Sequence, residues 1–228
     1  MDLQINETID IKSNEYGFNP GWVQIYDNGK LIIDTSNISM FRKNITLLYG
    51  KEFIAQKLVG KVPINTNYGD LTGYSISAFG IGNGGEVTSP SGINTIIAPS
   101  LYDTGLYSPI PINTSCLEVN NVNYIGKPIE SSSYTVSPRL GKIEFLTNSE
   151  YNSIHGSETN GFQTTLKLTL EIEPNEPFGI QNTQTIDINE ACLYITNGNN
   201  VLPFAHVTFE SRKVEKDGRF TIIWFLII

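Results

Sequence analysis

Histidine and cysteine occur only twice each in these 228 residues, and nowhere does an apolar run reach the length of about eighteen residues needed for a membrane-crossing helix. Each scarcity removes a class of function. Cys116 and Cys192 lie far apart and form no C-x-x-C pair, so neither a zinc site nor a disulfide framework is implied, and a reducing compartment fits best. No H-E-x-x-H or D-x-D-x-D-G pattern occurs, so no metal and no cofactor is expected. Basic residues are also short: 15 Lys and Arg against 23 Asp and Glu give a net charge of -8, which repels a phosphate backbone, so no nucleic-acid partner is expected. The one dense basic stretch, Arg212 to Arg219, is interrupted by Glu215 and Asp217 and reads as solvated surface across a turn. The first residues have neither a positive region nor an apolar core of a signal peptide. The sequons at Asn6, Asn37, Asn44 and Asn113 therefore read as chance products of an Asn-rich composition.

What is present favours strands. Hydrophobic residues make up 39% of the chain and charged residues only 17%, so the polar surface is built from Asn, Ser, Thr and Gly rather than ion pairs. "WVQIYDNGKLIID" (22–34) reads as a hairpin around Asn28-Gly29, a pair that readily takes positive φ. From Thr35 onward Ile38, Phe41, Ile45, Leu48, Ala55 and Leu58 fall at helical spacing, with Thr35 or Ser36 as N-cap and Gly60 as stop. Gly50 suggests a break or kink inside that helix. Further strands are expected at 74–79, 142–147, 164–173, 185–188, 191–196, 204–211 and 219–228. The last two are expected to pair as a hairpin about Asp217-Gly218. The fold class that follows is mainly β: one antiparallel β-sandwich or barrel-like domain spanning 1–228, with a helical insertion near residues 37–59 and long loops between 83 and 140.

Several signals invite a chemical reading. Gly80-x-Gly82-x-x-Gly85 follows a strand, but Pro90 and Gly92 oppose the helix a dinucleotide site requires; the glycines read as positive-φ residues of a turn. His155 has Ser153, Ser157 and Glu158 nearby, a hydrolase-like composition without catalytic geometry. His206, between Ala205 and Val207 in a strand, reads as a hydrogen-bonded structural residue, and Glu171 and Glu173 as an exposed strand face. No catalytic residue is assigned. Tyr102, Tyr107 and Tyr134 lie in polar loops, where they can stack on sugars, anchor a protein contact or pack on the sandwich. The final strand, with Trp224, Phe225 and Leu226, lacks the alternation of a membrane barrel and reads as buried on both faces or as an assembly strand at a subunit contact.

Three stretches together resemble the virion structural proteins of tailed bacteriophages: "NITLLYGKEFIAQKLVGK" (44–61), "YSISAFGIGNGG" (74–85) leading to Asp103-Thr104-Gly105-Leu106, and "LPFAHVTFESRKVEKDGRFTIIWFLII" (202–228). The resemblance implies a β-rich subunit without catalysis, made in the host cytoplasm and built into the virion in several copies beside other virion proteins. It favours tail, neck or baseplate over capsid decoration and implies neither a membrane nor a nucleic-acid partner. The alternatives are a carbohydrate- or receptor-binding β-sandwich using the loop tyrosines, and a hydrolase using His155.

Overall fold

The computed structural model describes residues 21–35, 45–112, 117–119, 122–128, 142–145, 149–150, 165–174, 176, 184–197, 200–215 and 217–227. Its elements are β1 (Gly21–Asp27), β2 (Lys30–Asp34), β3 (Ile45–Thr46), α1 (Leu48–Val59), β4 (Ser75–Gly82), β5 (Glu86–Thr88), β6 (Asn94–Ile96), β7 (Pro109–Ile110), β8 (Leu117–Val119), β9 (Val122–Pro128), β10 (Lys142–Phe145), β11 (Thr165–Ile172), β12 (Thr185–Thr196), β13 (Val201–Glu215) and β14 (Phe220–Ile227). The fold is mainly β and antiparallel, as expected, but the sheets do not close into a barrel. A five-stranded sheet runs β10-β11-β14-β1-β2; a seven-stranded one runs β3-β13-β12-β4-β9-β8, with β7 also on β4; and β5-β6 form a separate hairpin.

The core lies between the two large sheets. Alternation on β11 turns Leu168, Leu170 and Ile172 inward, and β14 does the same with Phe220, Ile222, Trp224 and Leu226; Val23 and Ile25 join them from β1. Phe79 and Ile81 of β4, Ile186, Ile188, Leu193 and Ile195 of β12, and Val207 and Phe209 of β13 meet them from the other sheet. Burial of this apolar surface is the main stabilising term, at roughly 1.5–3 kcal/mol for each large side chain. The β1-β2 turn has φ of 47° at Asn28 and 79° at Gly29, the positive pair that matches strand twist in a tight hairpin.

Three local expectations change. The helix starts at Leu48, because Ile45 and Thr46 instead pair with His206 and Ala205 of β13; residues 37–44 lie outside the described set. Its N-cap is Leu47, without a side-chain cap, whereas Gly60 ends it in the left-handed conformation as expected. The stretches 185–188 and 191–196 are one strand, interrupted by an irregularity between Ile188 and Glu190. The expected β13-β14 hairpin does not form: β13 pairs with β12, while β14 lies between β11 and β1. Both strands carry a large apolar face, and placing them in opposite sheets lets those faces meet across the core. The Glu215–Gly218 turn, closed by a 3.0 Å bond from the Gly218 N–H to the Glu215 carbonyl, carries the chain between sheets. Arg212 and Lys213 accordingly belong to β13 rather than to that turn.

Gly50 falls in the first turn of α1, which runs on from it without a break to Val59, and its missing side chain lets that turn approach β13. A Cβ at this position would collide with the Phe204 carbonyl oxygen and stand 2.8 Å from Thr46 Cγ2. Gly50→Ala improves helix propensity by about 1 kcal/mol. It is nevertheless expected to lower stability, since overpacking typically costs about 1–3 kcal/mol. A urea midpoint at or above that of the unmodified chain would show that α1 can move away freely.

Candidate functional site

The irregularity at Asn189 resets the alternation of β12. Ala191, Leu193 and Ile195 continue into the core, while Glu190, Cys192 and Tyr194 turn to the outer face of the seven-stranded sheet. His206 and Thr208 join them from β13, and Ala78 and Gly82 from β4. A strap formed by residues 97–110 crosses this face. Leu106 packs on Ala78, Cys192 and Tyr194, and the Thr208 hydroxyl donates to the Ile97 carbonyl at 2.6 Å.

Beneath the strap, Glu190 is a fully buried carboxylate. Its Oε1 accepts from the N–H groups of Gly84 at 2.9 Å and Ser108 at 2.8 Å; its Oε2 accepts from the Tyr107 N–H at 2.9 Å and from His206 Nε2 at 3.0 Å. The other imidazole nitrogen, Nδ1, donates to Asp103 Oδ2 at 3.0 Å. Asp103 also accepts from the Tyr107 hydroxyl at 2.7 Å and the Ser100 N–H at 2.9 Å. The Tyr107 ring meets the imidazole edge-on, with centroids 4.8 Å apart. With both acids ionised, an acceptor faces each ring nitrogen and both carry an N–H, the arrangement of an imidazolium.

The electrostatics agree. Burial by itself disfavours a charged His206, but hydrogen bonds to, and charges of, Asp103 and Glu190 outweigh it and raise the imidazole pKa. Burial likewise opposes ionisation of Glu190, yet hydrogen bonds from His206, Ser108 and Tyr107 hold its pKa below the ordinary carboxylate value. Asp103 is lowered for the same kind of reason, against burial, by His206, Tyr107 and Ser100. Burial, joined by its bond to Asp103, pushes the Tyr107 phenol upward. Two carboxylates around one imidazolium leave a local charge of minus one, distributed over backbone and side-chain donors.

The glycine-rich stretch makes this arrangement possible in a way the turn reading misses. Positive-φ glycines occur at 29, 60, 69, 92 and 105 among the described residues, so Gly82, Gly84 and Gly85 are not used for handedness. They are used for closeness. A Cβ on Gly82 would collide with the Glu190 carboxylate and stand 2.6 Å from the Ser108 carbonyl oxygen; one on Gly84 would stand 2.6 Å from the Ser108 nitrogen. A Cβ on Gly85 would collide with the Asn189 carbonyl, and the Gly85 N–H donates to Asn189 Oδ1 at 2.7 Å. No helix follows; the chain enters β5. The motif does meet an anion through backbone N–H, but that anion is the protein's own Glu190.

Chemically, the cluster is a fastener. A histidine acting as general base presents one ring nitrogen to a nucleophile or water; here both face carboxylates and the side chain is fully buried. Cys192 is buried too, which pushes its thiol pKa up and keeps it protonated. Among the described residues no group of three or more His, Cys, Asp or Glu is arranged to hold a metal ion.

Of the residues singled out from sequence, Tyr102 is 77% exposed on the strap, whereas Tyr107 is committed to Asp103 and His206. Tyr134 and His155 lie outside the described residues. Trp224, Phe225 and Leu226 are buried in the chain, on the strand at the centre of the five-stranded sheet. Glu173 pairs with Arg219 at 3.4 Å. Glu190 and Asp103 were not anticipated as partners of His206, although Glu190 directly precedes the apolar run "ACLYI" of the same strand, where a carboxylate needs buried donors. No protein family matches the chain, and no characterised protein or solved structure is significantly similar to it.

Proposed function

We propose that the chain is a structural subunit of a tailed-phage virion, acting through protein–protein contacts, with a tail, neck or baseplate position ahead of capsid decoration. The observation that carries this reading is the Asp103–His206–Glu190 cluster: its polar capacity is spent on pinning a surface strap to a sheet, leaving no ring nitrogen for a substrate. Such a fastener makes a surface loop a fixed contact element, which suits an assembly subunit. The stretches resembling virion proteins add support, since 74–85, Asp103–Leu106 and 202–211 supply the glycine turn, the strap and the histidine strand of this cluster. Immunogold electron microscopy of purified particles tests the reading, with label expected on the tail. Label on the head faces would move the assignment to decoration, and synthesis of the chain without any particle label would overturn it.

A second reading has one specific observation in its favour, the outward exposure of Tyr102. Glycan or receptor binding through this ring predicts that Tyr102→Ala weakens binding at least tenfold on a glycan panel, given the weight of aromatic anchors in interfaces. Absence of binding by the unmodified chain across the panel removes the glycan form of this reading.

A further inference from the structure

The strap of residues 97–110 is fastened differently along its two halves. Beyond Gly105, Leu106 packs on Cys192 and Tyr194, the Tyr107 and Ser108 N–H groups are held by Glu190, and Pro109 and Ile110 pair with Gly82 and Ile81 of β4. Before it, residues 100–104 form an arch between the buried Pro99 and Gly105, whose φ of 139° other residues rarely adopt. The arch is closed on itself: Asp103 accepts from the Ser100 N–H at 2.9 Å, and the Asp103 N–H donates to the Ser100 carbonyl at 3.1 Å. It meets β13 through the ion pair of His206 Nδ1 with Asp103 Oδ2 at 3.0 Å. Two further ties use neutral donors, the Tyr107 hydroxyl to Asp103 at 2.7 Å and the Leu48 N–H to the Leu101 carbonyl at 3.1 Å.

The two carboxylates around the imidazole are not equivalent. Glu190 is closed off from water, whereas the Asp103 side chain is 10% exposed. When the imidazolium loses a proton, one N–H remains for two carboxylates. A bare nitrogen opposite Glu190 would leave a buried charge short of a donor that water cannot replace, while Asp103 can turn to solvent. The remaining N–H therefore stays on Nε2, and the bare Nδ1 opposes Asp103. Two acceptors then face each other, and the arch loses its ion pair with β13. Among the described residues, the ionisable side chains around His206 are Asp103 and Tyr107 of the strap and Glu190, Cys192 and Tyr194 of β12; β3 pairs Ile45 with it, and β4 carries no ionisable side chain. Burial raises Tyr107, Cys192 and Tyr194 and keeps them protonated. The His206 pKa is raised above 6.5, so the tie is complete below that value and is lost as pH rises through the folded one.

We propose that the 100–104 arch is a pH-operated latch, closed on β13 while His206 is an imidazolium and released about Gly105 when His206 is neutral, with residues 106–110 staying on the sheet. The arch carries the exposed Tyr102, so the same step sets how rigidly that ring is presented. Release requires no unfolding of the sheets, which separates it from a general loss of stability.

A nitroxide at Thr104, an exposed position of the arch, tests the latch. It is attached through Thr104→Cys in a Cys116→Ser chain, in which Cys192 is buried and does not react. The spectrum is expected to be immobilised at pH 6 and its mobile component to grow about fivefold or more by pH 9, as the proton leaves His206. A label at Val87 of the β5-β6 hairpin is expected to keep its spectrum, and the amides of 84, 107 and 108 their hydrogen-exchange protection, over the same range. His206→Gln is expected to leave the Thr104 label mobile at both pH values. Asp103→Asn is expected to leave it immobile at both, because the amide accepts from an Nδ1–H or, turned over, donates to the bare nitrogen. A label that ignores pH in the unmodified arch, that stays immobile in His206→Gln, or that responds to pH as before in Asp103→Asn overturns the latch. Loss of protection at 84, 107 and 108 in step with release at 104 overturns it too, since the strap would then lift as a whole.

Discussion

Glu190→Ala is expected to destabilise the chain by about 3–5 kcal/mol, because it breaks a buried ion pair from one side and leaves the other charge in place. Three backbone N–H groups, those of Gly84, Tyr107 and Ser108, lose their acceptor together, and His206 keeps only Asp103. Each orphaned buried donor carries a desolvation penalty of about 1–3 kcal/mol where water cannot reach it. The cavity left by the carboxylate is roofed by the strap, so the penalty can be relieved only by lifting residues 97–110 from the sheet. Urea denaturation should therefore show a much lower midpoint, and hydrogen exchange should show lost protection at the amides of 84, 107 and 108. Glu190→Gln keeps one carbonyl acceptor but opposes an N–H donor to part of the cluster, and should fall between the unmodified chain and the alanine variant. A loss under 1 kcal/mol for Glu190→Ala, with those amides still protected, would show that the strap is held by the packing of Leu106 on Tyr194 rather than by the carboxylate.

Features decided by neighbours in sequence were legible. The Asn28-Gly29 turn needs only the φ preferences of its two central residues, and the inward face of β11 needs only the alternation of Leu168, Leu170 and Ile172. What depends on distant partners was less so. Ile45 fits a helical period, yet its pairing with His206 draws it into a strand. Asp217-Gly218 signals a turn correctly, but a turn cannot say whether the strands on either side pair or enter opposite sheets. The glycines before β5 were legible as unusual and misread in purpose, since the group that demands their missing side chains, Glu190, is 106 positions from Gly84. Asp103 is 103 positions from His206 and sits in a loop. The sequence trace of the cluster is a histidine and a glutamate, each beside apolar residues of a strand, and two such residues in one sheet predict each other only once the register of β12 on β13 is known.

Stability is expected to peak in mildly acidic solution and to fall on both sides, with His206 governing the alkaline limb. Its pKa is raised above the ordinary value of 6.5, so its contribution is fully present below about 6.5 and is lost as pH rises through the raised folded value. Asp103 and Glu190 are lowered from 3.8 and 4.5, so their contributions are present above those values and are lost as pH falls through the lowered ones. The window in which all three are charged therefore includes pH 4.5 to 6.5. Tyr107 faces the same cluster, and Cys192 and Tyr194 share its sheet face, but burial raises all three, which keeps them protonated throughout this window. Melting temperatures between pH 5 and pH 9 should decline on the alkaline side for the unmodified chain, and His206→Gln should flatten that decline while lowering the whole curve. Nitrogen-15 shifts of the His206 ring provide an independent check, because the two-carboxylate bracket requires both nitrogens to carry protons at pH 6. A ring with one bare nitrogen at that pH would show instead that His206 is neutral and that one of the two acids is itself protonated, and the alkaline decline in stability would then need another source.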